Sequence, residues 1–199
     1  MRSYVASLLC AFALGSTCLP AMALVTEFDL GGKAGAGLLG GNQNPAIAGG
    51  GSGGEIGAGI SFDSATNLLS IDIGWGSGNG FSDLTGNAIA GHIHGPTPST
   101  PPGSFTENAG VLIPLDSLAG WNASATNGGF VGAVLLNSPQ ATDLLNGRFY
   151  INVHTAVNGG GEIRGTLLPV TVPVPEPATF GMLGVGLAVV TGLARRRRG

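Results

Sequence analysis

The 199-residue chain contains two cysteines, Cys10 and Cys18, and both fall within its first twenty residues. Everything downstream lacks a thiol, which excludes disulfides, thiolate catalysis and thiolate metal ligation there. Basic residues are equally scarce. Of the eight, Arg2 stands at the start and Arg195, Arg196, Arg197 and Arg198 at the end, so the body keeps Lys33, Arg148 and Arg164 against ten acidic residues from Glu27 to Glu162. A body near −7 with no Lys/Arg cluster argues against nucleic acid as a partner, because phosphate binding needs clustered positive charge. No serine stands in a strand-turn-helix nucleophile elbow. No Gly-Lys-Ser/Thr follows the glycine runs, so there is no phosphate loop. No carboxylate spacing singles out a glycosidase pair. Sequence reasoning therefore assigns no catalytic residue. With only two tryptophans, Trp75 and Trp121, core packing is a better expectation for each than a carbohydrate platform.

Glycine is abundant, at 37 residues, but it has no period and so does not signal collagen. It crowds into "GGKAGAGLLGG" and "AGGGSGGEIGAG", which read as turns between strands.

Both ends read as addresses. Met1-Arg2 precedes an apolar run from Val5 to Leu14, and "CLPAMA" places Ala21 and Ala23 where a signal peptidase reads, giving a signal peptide over 1–23 cut after Ala23. Neither cysteine follows the Leu-small-small run that lipoprotein processing needs. At the other end, a linker (171–177) leads to an apolar run of 17 residues (178–194) and then the arginine cluster Arg195–Arg198. As a helix that run spans about 25 Å, enough for a short transmembrane crossing with the arginines cytoplasmic. Pro175, Glu176 and Pro177 stand just before it. Triplet, apolar span and arginines in this order resemble a PEP-CTERM sorting signal. That resemblance implies a Gram-negative, exopolysaccharide-producing cell and an exosortase-type protease that cuts near the triplet. The inner-membrane anchor is then transient.

Between the ends, 24–170 reads as one domain of short strands and glycine-rich turns. "LLSIDIGW" alternates, with Leu69, Ile71 and Ile73 on one face and Leu68, Ser70 and Asp72 on the other. "RFYINVHT" and "EIRGTLL" predict a hairpin across "AVNGGG". One short helix is expected in "NSPQATDLLNG", with Ser138 as N-cap, Pro139 in the first position and Gly147 past the end. The fold class is all-β: an antiparallel β-sandwich or barrel of about eight short strands, flanked by the signal helix and the C-terminal transmembrane helix.

The chain's three histidines are His92 and His94 in "AGHIHGP" and His154 in "YINVHT". Alternation along strands puts His92 and His94 on one face, Asn152 and His154 on one face, and Glu162 and Arg164 on one face. Ile93, Ile151, Val153 and Ile163 point the opposite way, into the core. If the three strands are neighbours, the polar six converge. "AGHIHGP" together with "GRFYINVHT…GGEIRGTL" resembles the CHRD domain, over about Leu24–Leu168. The resemblance implies an extracellular all-β module, with His92, His94, Asn152, His154, Glu162 and Arg164 as its signature.

Two readings of the histidines stay open. In one, His92, His94, His154 and Glu162 hold a divalent ion, zinc or copper. In the other, the imidazoles bond loop backbone and Glu162 pairs with Arg164 or Arg148, and no cofactor is bound. Imidazole nitrogens more than about 5 Å apart would exclude a shared ion. The leading expectation is an exported, non-enzymatic structural or binding module at the surface or in the exopolysaccharide matrix. Its partners are then signal peptidase, the sorting protease, and exopolysaccharide or a surface protein.

Overall fold

The computed structural model describes residues 24–170, so the expected signal peptide and the expected C-terminal transmembrane helix, with the sorting tail, lie outside the described residues. No helix among the described residues is long and apolar enough to cross a membrane. The strands are β1 (Val25–Gly32), β2 (Gly35–Ala36), β3 (Leu38–Leu39), β4 (Ser52–Asp63), β5 (Leu68–Trp75) and β6 (Ala88–His94), followed by β7 (Val111–Pro114), β8 (Trp121–Ser124), β9 (Asn127–Leu135), β10 (Tyr150–Thr155) and β11 (Ile163–Pro169). They form one antiparallel sheet in the order β7-β6-β10-β11-β1-β4-β5-β9-β8, with β2 paired to β1 and β3 bridging β11 and β4.

Eleven strands replace the eight expected. The additions are β2 and β3, inside the first glycine-rich segment, and β8. β2 and β3 are two residues each, too short to carry apolar alternation, and β8 (WNAS) alternates over only four residues. The β10–β11 hairpin forms as predicted, with Asn152 opposite Arg164 and Val153 opposite Ile163.

The alternation in β5 translates directly into burial: Leu69, Ile71 and Ile73 are in the core, while Leu68 is exposed and Ser70 and Asp72 are half-buried. Phe28, Leu30, Ile60, Phe62, Ile93, Ile151, Val153 and Ile163 join them from five other strands. Each fully buried side chain of this kind stabilises the fold by about 1.5–3 kcal/mol relative to exposure. The sheet rolls back on itself, so that Trp121 of β8, near one end of the order, lies over Gly91 of β6, near the other. A Cβ at Gly91 would meet the indole at 2.2 Å, so only glycine admits this closure. Trp121 also packs on Trp75, ring centroids 4.9 Å apart, and Trp75 is wholly buried. Both tryptophans are packing residues.

The helix α1 (Ser138–Leu145) starts one residue earlier than expected. Asn137, not Ser138, is the N-cap: its Oδ1 accepts from Gln140 N at 2.9 Å, and Gln140 Oε1 accepts from Asn137 N at 2.9 Å. This reciprocal capping box satisfies two otherwise free N–H groups, which a serine at 138 could not do, since the residue three positions on is Ala141, with no side-chain acceptor to return the bond. Pro139 is therefore the second helical residue. Gly147 follows the helix with φ +66° as predicted.

Strand β10 is buried on both faces. Ile151 and Val153 face the core. Tyr150, Asn152 and His154 face the other way, into a layer of loops that covers this side of the sheet. Gln43 Nε2 donates to Asn152 Oδ1 at 2.7 Å, and Asn152 Nδ2 donates to Gly160 O at 3.4 Å. The polar signature thus lies beneath loops, not on an open surface.

Candidate metal centre

Strands β6 and β10 pair with Ile93 opposite Ile151, His92 opposite Asn152 and His94 opposite Tyr150. His92 and His94 are two residues apart on β6 and share a face. His154 lies two residues beyond Asn152 on the same face of β10. The three rings meet: centroid separations are 4.7 Å for His92–His154, 5.4 Å for His92–His94 and 5.8 Å for His94–His154. One nitrogen from each lies within 4.8 Å of the other two. His92 Nδ1 and His154 Nε2 are 3.0 Å apart.

The surroundings fix the tautomers. His94 Nδ1 is 2.9 Å from Ala109 O, and His154 Nδ1 is 2.9 Å from Gly159 O. A carbonyl only accepts, so both Nδ1 atoms carry hydrogen and both Nε2 atoms of the neutral rings present lone pairs. Among the described residues, buried His94 Nε2 has no hydrogen-bond partner. His92 Nε2 faces Asp116 Oδ1 at 3.4 Å, and that carboxylate oxygen is itself buried without a hydrogen bond. The carboxylate selects Nε2–H on His92 and so turns the Nδ1 lone pair toward His154.

Three neutral imidazoles carry three N–H groups between them. Two go to Ala109 and Gly159. The third serves either Asp116 or the His92–His154 contact, not both, and His94 Nε2 receives none. Burial, reinforced by the neighbouring His154, holds His92 below the usual histidine range despite Asp116. Burial pushes His94 down to about 4, the Ala109 bond opposing and the other two histidines and Arg164 adding to the effect. These two rings therefore stay neutral near pH 7, and neutral imidazole is the ligating form. A tetrahedral ion with Zn–N bonds near 2.1 Å places its ligand atoms about 3.4 Å apart. The His92–His154 pair already stands near that spacing. Carbonyl and carboxylate partners on the far ring nitrogens are the usual outer support of metal-bound histidine. The donor set fits a first-row divalent ion.

Glu162 does not join them, which corrects its expected place among the ligands. It precedes β11, where strand alternation no longer governs direction, and Gly161 at φ +115° turns the chain. Its carboxylate points to another loop. It accepts from Gly51 N at 2.9 Å, Thr85 N at 2.7 Å, Thr85 Oγ1 at 2.7 Å, Thr155 Oγ1 at 2.8 Å and Asn158 Nδ2 at 3.2 Å. Burial raises its pKa, but these bonds outweigh that and hold it below the ordinary glutamate value. Nor does it pair with either arginine. Arg148 meets Asp143 and Thr97 O. Arg164 donates to Ser104 O, Glu107 O and Asn108 Oδ1. Asp116, which sequence reasoning missed, has no spacing relation to the histidines. The β6–β7 pairing, His92 opposite Pro114, brings it there.

Fold and site together define an all-β module with a loop-covered cluster of three imidazoles. The CHRD domain family matches residues 35–167, and the chain belongs to that family. The PEP-CTERM protein-sorting motif matches residues 173–198, which implies export and membrane-associated processing by exosortase-type machinery. No curated protein and no solved structure matches the chain.

Proposed function

We propose that this protein is a non-enzymatic surface or matrix module whose CHRD domain binds one divalent transition-metal ion, zinc or copper, through His92, His94 and His154. The observation that carries this reading is the convergence of three imidazole nitrogens, each within 4.8 Å of the others, with buried His94 Nε2 lacking any partner. A purely structural trio would satisfy that nitrogen, since an unpaired buried polar atom costs about 1–3 kcal/mol. In the metal-bound form His94 and His154 ligate through Nε2 and His92 through Nδ1. Ala109 O, Gly159 O and Asp116 hold the far nitrogens. Such an ion ties β6 to β10 and to the loops carrying Ala109 and Gly159, which suits a stable binding scaffold outside the cell.

On this reading signal peptidase removes 1–23 after Ala23, and the tail sits transiently in the inner membrane until the sorting protease cuts near Pro175–Pro177. Exopolysaccharide or a surface protein is then the partner of the mature module. The test is elemental analysis of the purified protein beside His92→Ala. We expect one zinc or copper per chain in the wild type, a thermal midpoint that rises with added ion, and neither in the variant. Ligand at a hundredfold over Kd stabilises by about 2.7 kcal/mol, which is readily seen. A metal-free wild type indifferent to both ions would exclude the metal reading.

A further inference from the structure

The signature residue Arg164 touches no histidine, yet it is 1% exposed and lies in the layer that covers them. Its guanidinium sits 3.6 Å from the centroid of the Tyr150 ring. The Tyr150 ring also stacks on His94, with centroids 4.9 Å apart and planes 3° from parallel. The Tyr150 hydroxyl accepts from Ala109 N at 3.1 Å and lies 3.3 Å from Ala109 O, the same carbonyl that holds His94 Nδ1. Arg164 meanwhile donates to Ser104 O at 3.0 Å, Glu107 O at 2.8 Å and Asn108 Oδ1 at 3.1 Å, which fixes the loop that leads into Ala109. The arginine therefore reaches His94 by two routes: through the ring stack to the plane of the imidazole, and through the loop to the acceptor of its Nδ1–H.

We infer that Arg164 and Tyr150 are positioning residues that set the orientation and Nδ1–H tautomer of His94, so that its Nε2 is presented to the ion. This rests on the metal-centre reading above for its purpose, though not for its geometry. An Arg suits the task where a Lys does not. Its planar fork stacks on the ring while its edge nitrogens serve the loop acceptors, and a Lys ammonium cannot do both. Outer residues that orient a ligating histidine typically cost 10–100-fold in metal affinity when removed.

The experiment uses the full chain, with cobalt(II) as a spectroscopic probe, and compares wild type with Tyr150→Phe, Arg164→Lys and Arg164→Met. Nitrogen-15 shifts of the His94 imidazole are read in the ion-free proteins. Tyr150→Phe keeps the ring stack and loses only the hydroxyl, so it carries the test if the Arg164 variants fail to fold. We expect at least about a tenfold loss of cobalt affinity, an altered visible band and displaced His94 shifts in folded Tyr150→Phe, with no rescue by Lys at 164. Wild-type affinity, band and His94 shifts in the folded variants would overturn the inference. If the wild type itself takes no cobalt, the metal reading falls. The His94 shifts then decide the positioning role alone: displaced shifts support it, and unchanged shifts refute it.

Discussion

His92 Nδ1 stands 3.0 Å from His154 Nε2, while His92 Nε2 faces the Asp116 carboxylate at 3.4 Å. The two contacts compete for one hydrogen. With His154 Nδ1 committed to Gly159 O, its Nε2 is an acceptor, and His92 satisfies either neighbour but not both. A cation between the two nitrogens resolves the conflict and leaves Nε2–H for Asp116. The variant Asp116→Asn keeps the shape but no longer selects that tautomer. Its zinc affinity, measured by calorimetry, is expected to fall about tenfold or more with the fold unchanged. Wild-type affinity in Asp116→Asn would remove the carboxylate from the centre.

The low pKa of His94, about 4, makes a stability prediction. In the unfolded chain this group titrates near 6.5, so below that pH the unfolded state takes up a proton that the folded state refuses. The ion-free protein therefore loses stability as pH falls from about 6.5 toward 4, by roughly 3 kcal/mol over the window from this residue. Urea unfolding at stepped pH measures it. His94→Phe keeps a ring on Tyr150 and has no proton to take, so its stability should vary less over the same range. Equal slopes in the two proteins would contradict the assignment.

Most of the core was legible in the sequence. The period-two patterns of "LLSIDIGW" and "YINVHT" separated core from polar faces, because alternation is a geometric property of any strand. The same rule found the histidine face. It misplaced Glu162 because that residue lies outside the strand. It could not find Asp116 or Tyr150's role, which depend on which strands are neighbours and on loops folded over the sheet. Nor did the Gly-rich segment announce β2 and β3, since their pairing is fixed by backbone contacts with β1, β4 and β11 rather than by side-chain pattern.

Closure of the sheet makes a prediction independent of the histidines. Gly91 lies against the Trp121 indole, where a Cβ would approach to 2.2 Å. Gly91→Ala should destabilise by about 1–3 kcal/mol, the usual cost of overpacking. Trp121→Leu alone is destabilising through lost packing on Trp75. The two together should cost less than the sum of the singles, and thermal unfolding of all four proteins yields the coupling. Strict additivity would mean that the steric conflict is relieved elsewhere.

The sorting motif predicts a processing defect. Replacing Pro175, Glu176 and Pro177 with alanine should leave an uncut precursor in the membrane fraction, whereas the wild type should lose its tail. Intact mass and fractionation distinguish them. Release of the triple variant at wild-type size would mean that the triplet is not what the protease reads.

Glu162 supplies the sharpest separation of scaffold from the proposed metal site. Its carboxylate accepts five hydrogen bonds, from Gly51, Thr85 and Asn158 in three loops and from Thr155 at the end of β10, and it is wholly buried. Glu162→Gln replaces one acceptor oxygen with a donor that faces existing donors, at a cost of about 2–4 kcal/mol at pH 7. The pH dependence has a definite sign. Because the folded-state pKa lies below the unfolded value, the carboxylate's contribution is fully present above the ordinary glutamate range and is lost as pH falls through the folded value. The stability gap between wild type and Glu162→Gln should therefore narrow on acidification below about pH 4.5. Metal stoichiometry should stay at the wild-type value in the folded variant, since the carboxylate points away from the histidines. Loss of the ion in a folded Glu162→Gln would instead return Glu162 to the ligand set and contradict the placement of its side chain.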